Sequence, residues 1–581
     1  MPSSFRSDTR HAIRALARTP AVTAAAILCL GLGLGATTAI YSAVNTALLR
    51  PLPFPDPERL ATVYRTTPHF DTGPFSPANY VDLRAGGTSF ASLAAATGGV
   101  ALLEGGPESR RVSVGRASEN VFEMLGIGAT RGRLFRAGDD DPAQPAVAVI
   151  SAEMWREQFG SDPDLVGRTI RLDGETHEVL GVLPAGFRLP HGDRSLRPDV
   201  WVTLRLSPEQ ASRRRENFLW LMGRLAPGVG VEAAHAQMRG IMDGIVEQNP
   251  ELRGEQLRVL PLHHESVRTV RGPLLLLLGA VAFVLLISAA NVASLLLARG
   301  VARRPEFAVR AVLGARGADV VRPALIESGL LAAAGVAFGL GLAWAGVTVI
   351  AKLMPARLPQ LADLAIDPAV LAVALVLALV VALVCAVAPA WQAGSSDPQE
   401  SLRAGGRGGS GGRHHRWLRA LLVAEVALSL MLLLGAGLVL RGFQQLVARD
   451  PGFDPEPLLT LNVDIAPDRY EGGSTIERFL NPALEVVRAL PGVVEAGAIH
   501  LVPYENWGWN WNVRYEGRPA EDPTTQPLVE NRYVSPSIFG VLGQTLLRGR
   551  LLTDTDADGP RNVVVNEALA RRDFPGEDAL G

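Results

Sequence analysis

The sequence PLLLLLGAVAFVLLISAANVASLLLA occupies residues 273–298 and carries no charged side chain. A helix needs about 20 apolar residues, at 1.5 Å rise each, to cross the hydrocarbon of a bilayer. This run is long enough. An arginine-rich segment follows at 299–322, then a second, mainly apolar run at 323–350, a short break, and a third run at 369–391. Apolar runs of this length on either side of a basic connector predict an integral membrane protein, so function has to be read from what is wired to the helices.

Upstream, residues 1–20 carry Arg6, Arg10, Arg14 and Arg18 with Phe5, Ile13 and Leu16 between them. At helical spacing this predicts a basic amphipathic helix on the membrane surface. From Thr19 to Leu49 no side chain is charged. The run exceeds the apolar core of a signal peptide and reads as an uncleaved anchor. It exits through RPLPFPDP (50–57), a proline-stiffened spacer. The following stretch mixes strand signals (Arg111–Arg116, Ala146–Ser151, Asp199–Leu204) with helical ones (Ala152–Phe159, Val231–Glu247). Thr169–Leu172 and His177–Val182 flank Asp173-Gly174, a hairpin turn pair. The mixture predicts an α+β domain.

Arginine sets the orientation. The connector 299–322 holds six arginines against Glu306 and Asp319, and the loop after the third run holds Arg403, Arg407, Arg413, Arg416 and Arg419 in a glycine-rich setting. Short loops with that excess stay in the cytoplasm. The expected plan is a cytoplasmic helix at 1–20, transmembrane helix 1 at 21–49 and an exported core domain at 50–272. A permease-like block at 273–391 holds helices 2–4 and the cytoplasmic segment 299–322. A Gly/Arg linker at 392–417, helix 5 at 418–440 and a second exported domain at 441–581 complete it. The fold class is thus membrane α-helical, with five transmembrane helices and two exported α+β domains.

The second exported domain repeats the first. Phe122-Glu-Met-Leu-Gly126 followed by Arg131-Gly-Arg-Leu134 matches Phe539-Gly-Val-Leu-Gly543 followed by Arg548-Gly-Arg-Leu551 at the same spacing. An acidic loop (139–141; 554–558), a strand (Val147–Ile150; Val563–Val565) and a helix ending in Phe159 or Phe574 come next. Similarity in order over ~50 positions marks an internal duplication. The second copy reaches Gly581 in mid-motif, so the expectation is a fragment lacking the rest of that domain and three helices.

Catalytic chemistry is hard to place. The one lysine, Lys352, precedes Leu353, so there is no Gly-Lys-Ser/Thr phosphate loop. Cys29 and Cys385 lie in apolar runs, which excludes a disulfide framework and a thiolate zinc site. His263-His264 and His414-His415 are adjacent pairs, read as solvated loop residues rather than ligands. There is no Gly-x-Ser-x-Gly elbow. A net charge of −2 gives nucleic acid no attraction. Glu327 and Glu425 lie within two turns of cytoplasmic helix ends and read as snorkelling carboxylates. Asn291 reads as an interhelical hydrogen-bond donor among small residues. Trp507, Trp509 and Trp511 alternate on one strand face, read as core.

The most specific stretch is RRPEFAVRAVLGAR (303–316), a short amphipathic helix joining two membrane helices and suited to act as a lever. With AANVASLLLAR (289–299) before it and LIESGLL (325–331) after it, it resembles the FtsX-type permease domain, and residues 21–250 are similar to the periplasmic core domain of MacB-type ABC transporters. The duplication and RPLPFPDP resemble the duplicated orphan permeases of acidobacterial type. The resemblance implies a multi-pass permease subunit in a bacterial inner membrane, N-terminus cytoplasmic, without cofactor, metal or catalytic residues of its own. Its implied partners are membrane lipid, a cytoplasmic ABC ATPase, a second permease half or second copy, and a periplasmic adaptor or outer-membrane channel. By position, Glu306, Phe307, Arg310 and Gly314 form or flank the ATPase-contacting helix. The implied activity is export or efflux driven by mechanotransmission. An FtsX-like signalling scaffold that activates a periplasmic enzyme without transport is the alternative.

Overall fold

The computed structural model describes residues 9–10, 12–14, 16–104, 109–191, 194–302, 317–353, 366–394, 412–463, 476–504, 509–518, 526–557, 559 and 562–580. The chain divides into a helical unit, Met1–Pro51 with Val267–Ala448, and a second unit, Leu52–Ser266 with Arg449–Gly581.

The helical unit contains α1 (Pro20–Val44), α2 (Arg268–Ala302), α3 (Gly317–Leu353), α4 (Pro368–Gly394) and α5 (Gly412–Val447). Pro20 opens α1, where a missing N–H is harmless. The helix continues through a wider i→i+5 turn at Asn45–Leu49. Among the described residues four stretches are long and apolar enough to cross a membrane: Pro20–Leu49, Arg268–Leu296, Ile326–Val349 and Leu422–Val447. The apolar part of α4 within the described residues is shorter, Pro368–Leu383. Leu30 and Leu34 of α1 pack with Leu285, Ala289 and Val292 of α2, Leu331 of α3 and Val381 of α4. Outward leucines such as Leu276, Leu375 and Leu433 are exposed, as a lipid-facing surface requires. Ahead of α1, Leu16 is buried, whereas Ile13, expected on the same apolar edge, is exposed.

Within Leu52–Ser266 an eleven-stranded sheet runs in the order β13-β1-β12-β3-β4-β11-β6-β8-β5, where β5 is Arg131–Gly132, with β2 (Phe70–Gly73) against β1 and β7 against β3 and β8. The strands used below are β1 (Leu60–Thr67), β3 (Phe90–Glu104), β4 (Arg110–Ala117), β6 (Val147–Ile150), β7 (Thr169–Leu172), β8 (Glu175–Val182), β11 (Val200–Thr203), β12 (Trp220–Leu225) and β13 (Gln256–Pro261). Most pairs are antiparallel; β4 with β11 and β6 with β8 are parallel. The β7–β8 hairpin forms at Asp173 (φ 47°) and Gly174 (φ 83°), the left-handed pair that a tight hairpin turn demands. The helix Val231–Gln248 buries Ala234, Met238, Met242 and Ile245 against Leu221, Val259 and Leu83. A second core gathers Phe122, Leu183, Trp201 and Met222, with Phe122 edge-on to Trp201 at 5.7 Å between ring centroids.

Residues 449–580 reproduce the first copy bond by bond in three places. Ser118 N donates to Ala95 O at 2.9 Å, and the Ser118 hydroxyl accepts from Ala95 N at 3.0 Å. Ser535 makes the same pair of bonds with Ala498, at 2.9 and 2.8 Å. Arg133 forks onto Asp139 at 2.5 and 3.1 Å, as Arg550 does onto Asp556 at 2.7 and 2.6 Å. Ser151 caps the helix Ala152–Phe159 and Asn566 caps Glu567–Asp573. The single named hairpin of this stretch, β14 (Trp509–Asn512) with β15 (Leu528–Asn531), stands where β3 and β4 pair in the first copy.

Two expectations for this stretch fail. Val563–Val565 do not form a strand, and Val563 is exposed. Their counterparts in β6 are sandwiched between β8 and β11, and no counterparts of those two strands stand among the described residues of 449–580. Trp511 is 50% exposed rather than core, resting edge-on against Tyr533. A two-stranded ribbon cannot cover both of its faces. Trp507 lies outside the described residues.

Candidate functional site: a close helix crossing and its polar clasp

In the helical unit α1 crosses α3 with the two backbones in close approach. A methyl group built on Gly35 would stand 2.8 Å from the carbonyl oxygen of Gly339, and one on Gly339 would stand 3.0 Å from that of Gly31. Gly31 and Gly35 sit four apart on α1; Gly335 and Gly339 sit four apart on α3. Small residues at that spacing let two helices pack backbone to backbone, which replaces hydrophobic driving force where lipid is as apolar as leucine. Gly33, on the other face of α1, lies against Ser288 of α2, its added methyl reaching the hydroxyl at 2.8 Å. The Thr37 hydroxyl lies 2.7 Å from Gly33 O and 3.3 Å from Val281 O across the interface. The Thr37 hydroxyl of α1 thus makes an interhelical hydrogen bond to the Val281 carbonyl of α2.

Beyond the wide turn, α1 is fastened by a polar clasp. Asn45 Nδ2 donates to Asp367 Oδ2 at 2.9 Å, and the Arg50 guanidinium sits 3.4 Å from the same oxygen. The other oxygen, Oδ1, accepts from Val370 N at 2.8 Å. One carboxylate therefore caps the first turn of α4 and holds the end of α1. Sequence reading missed these residues, although the G-x-x-x-G spacing in α1 and α3 was there to be read.

The exported domain has its own polar features. Arg65 and Glu255 pair at 2.7 Å with side chains only 11% and 14% exposed. Burial pushes the Glu255 carboxyl up and the Arg65 guanidinium down, each against the attraction of the other. Beside them a cleft of about 420 Å³ is lined by Thr66, Asp71, His235, Arg239 and Arg258. Its polar groups include no set of metal ligands; among the described residues no cluster of three or more His, Cys, Asp or Glu is close enough to hold a metal ion. His263 and His264 sit on the short helix Leu262–Ser266 rather than in a loop, His263 half-buried and His264 exposed. Glu327 and Glu425 are half-buried on α3 and α5. Glu306, Phe307, Arg310 and Gly314 lie outside the described residues.

Comparisons with known proteins bear on both units. The family described as MacB-like periplasmic core domain matches residues 23–241. The family described as FtsX-like permease C-terminal matches residues 278–398. A macrolide export ATP-binding/permease protein MacB 1/2 of Paracoccus denitrificans is 24% identical over 329 residues, 54% of this chain and 45% of the relative. The macrolide export ATP-binding/permease protein MacB of Agrobacterium fabrum is 24% identical over 300 residues, 50% and 43% of the two chains. This chain therefore spans less than half the length of those two relatives. The crystal structure of the periplasmic region of MacB from Actinobacillus actinomycetemcomitans is 13% identical, with 37% of this chain and 92% of that one covered at a TM-score of 0.26.

Proposed function

We propose, from the premise that this chain belongs to the MacB/FtsX-type ABC permeases, that it is the membrane subunit of an export machine whose ATPase is a separate polypeptide. The observation that carries this reading is the order of the two family matches, periplasmic core domain then permease domain, in a chain without a phosphate-binding loop. The named relatives combine ATP-binding and permease functions in one protein. Hydrolysis by a separate ATPase polypeptide is part of this reading.

In this reading the N-terminus and the segment 299–322 face the cytoplasm of a bacterial inner membrane, and α4 crosses it as well, as the fourth of five spans. The segment 303–316 is the lever. Phe307 offers an apolar contact to the ATPase, Glu306 and Arg310 offer ionic ones, and Gly314 belongs to or flanks the same contact. ATP-driven closure tilts that lever, and the close α1–α3 crossing passes the movement on, since backbones in contact cannot slip past side-chain cushions. The cargo is an apolar or amphipathic substrate taken up outside the membrane, delivered with a periplasmic adaptor or outer-membrane channel. A second permease half completes the assembly. The repeated motifs of the two copies support reading it as a duplicated orphan permease.

The test is co-purification. A tagged chain, co-expressed with a candidate ABC ATPase, retains that ATPase through detergent extraction. Phe307→Asp combined with Arg310→Glu reduces retention at least about tenfold, roughly 1.4 kcal/mol of binding. Full retention by the double variant removes the assignment of the lever.

A further inference from the structure

We propose that the cleft beside the Arg65–Glu255 pair binds a carboxylate, carried by a small organic molecule or by the C-terminal end of a peptide. The site lies within the exported domain and stands whether or not the chain belongs to an export machine.

The cleft sits at the outer edge of the sheet. β13 is the last strand in the order, and its residues line the cleft together with the end of β1 and the helix Val231–Gln248. That helix fixes the edge, because His235 Nδ1 accepts from Val259 N at 3.3 Å. A neutral imidazole that accepts at Nδ1 carries its proton at Nε2, so the ring keeps one donor to offer. The same bond shows which way the ladder faces. Val259 stands opposite Val63 of β1, yet it turns its N–H away from that strand. Backbone groups alternate along an antiparallel ladder, so Leu257, two residues earlier in an unbroken register, also turns its N–H outward. Leu257 lines the cleft. Thr66, on the opposite wall, is 9% exposed, and its hydroxyl has no hydrogen-bond partner among the described residues.

Charge decides what these donors suit. Among the described residues the lining holds two guanidinium groups, Arg239 and Arg258, and one carboxylate, Asp71. The side chains of Arg258 and Asp71 have no ion-pair partner among the described residues. Arg239 reaches Asp243 only at 4.0 Å, with the two side chains 52% and 61% exposed, a contact of little strength. Glu255 is already committed to Arg65. The cleft therefore has at most one uncompensated positive charge. A single carboxylate matches it, and its planar pair of oxygens fits the guanidinium fork; a dianionic phosphate would exceed it. A volume of about 420 Å³ falls within the range of small-molecule pockets.

Fluorine NMR of para-fluorobenzoate, recorded with the full chain in lipid nanodiscs and corrected for empty nanodiscs, tests this. The acid is broadened by the chain, and para-fluorobenzamide, its neutral isostere, is not. Arg239→Gln combined with Arg258→Gln weakens binding of the acid by roughly tenfold or more. Asp71→Asn strengthens it, because a like charge has gone. Thermal unfolding unchanged from the parent shows that each variant is folded. An N-acetylated tripeptide with a free C-terminal carboxylate displaces the fluorinated acid, and its C-terminal amide does not. Displacement at lower concentration than unlabelled benzoate assigns the carboxylate to a chain end, and the reverse order assigns it to a small molecule; both support the site. Equal broadening of acid and amide, no broadening of the acid, undiminished binding by the double variant, or weaker binding in Asp71→Asn overturns the proposal.

Discussion

Gly35 and Gly341 are both glycines of apolar membrane helices, yet only one has a neighbour. A methyl group on Gly35 meets a backbone oxygen of α3, whereas one on Gly341 meets nothing within 4 Å. Gly35→Ala should therefore lower the thermal stability of the detergent-solubilised chain by roughly 1–3 kcal/mol, the usual range for forced overpacking. Gly341→Ala, measured alongside, should be neutral or slightly stabilising. The Arg65–Glu255 pair makes a second residue-scale case. Arg65 also donates to Pro74 O at 2.9 Å and lies over the Phe70 ring, so it cannot leave when its partner does. Glu255→Leu strands a buried charge and should cost about 3 kcal/mol. Adding Arg65→Met should restore most of that loss in a double-mutant cycle followed by thermal unfolding. A double variant as unstable as the single one would refute the account.

At the scale of elements, the two copies allow one substitution to be tried in two settings. Gly132 and Gly549 hold the same place after the short helix, with φ of 67° and 81°. A methyl group on Gly132 runs into the backbone of β8 at Leu180, whereas one on Gly549 meets only the end of the Leu580 side chain at 2.9 Å. Both variants carry the left-handed penalty of about 1 kcal/mol, but Gly132→Ala should lose about 1–3 kcal/mol more through the clash. Exchange rates of the flanking amides, compared between the two single variants, would show it. These elements also show what could be read in advance. Asp173-Gly174 announced its hairpin because only a few residue pairs accept two left-handed positions. Val231–Gln248 announced its buried face through its apolar period. Val563–Val565 misled, because a β-branched run describes a willingness to pair and says nothing of whether a neighbour is present. Trp511 misled similarly, since alternation marks a shared face without showing that the face is covered. Asp367 left no signal, because its partners Asn45 and Arg50 lie over 300 residues away in sequence.

On the scale of the whole molecule, arginine placement and apolar length give the expected membrane plan, and the family matches at 23–241 and 278–398 come in the order of its core domain and permease block. The polar outer regions carry a different liability. Leu459, Leu461 and Val463 alternate along an extended stretch and are 87%, 70% and 59% exposed, and Val563 is 80% exposed. In the first copy the corresponding β1 and β6 are hemmed in on both sides. Bare backbone edges flanked by greasy residues are templates for edge-to-edge stacking, so concentrated preparations of this chain should scatter light and sediment as heterogeneous clumps. Leu461→Lys with Val563→Lys should keep such preparations clear at concentrations where the parent clouds, because like charges at a strand edge repel incoming strands.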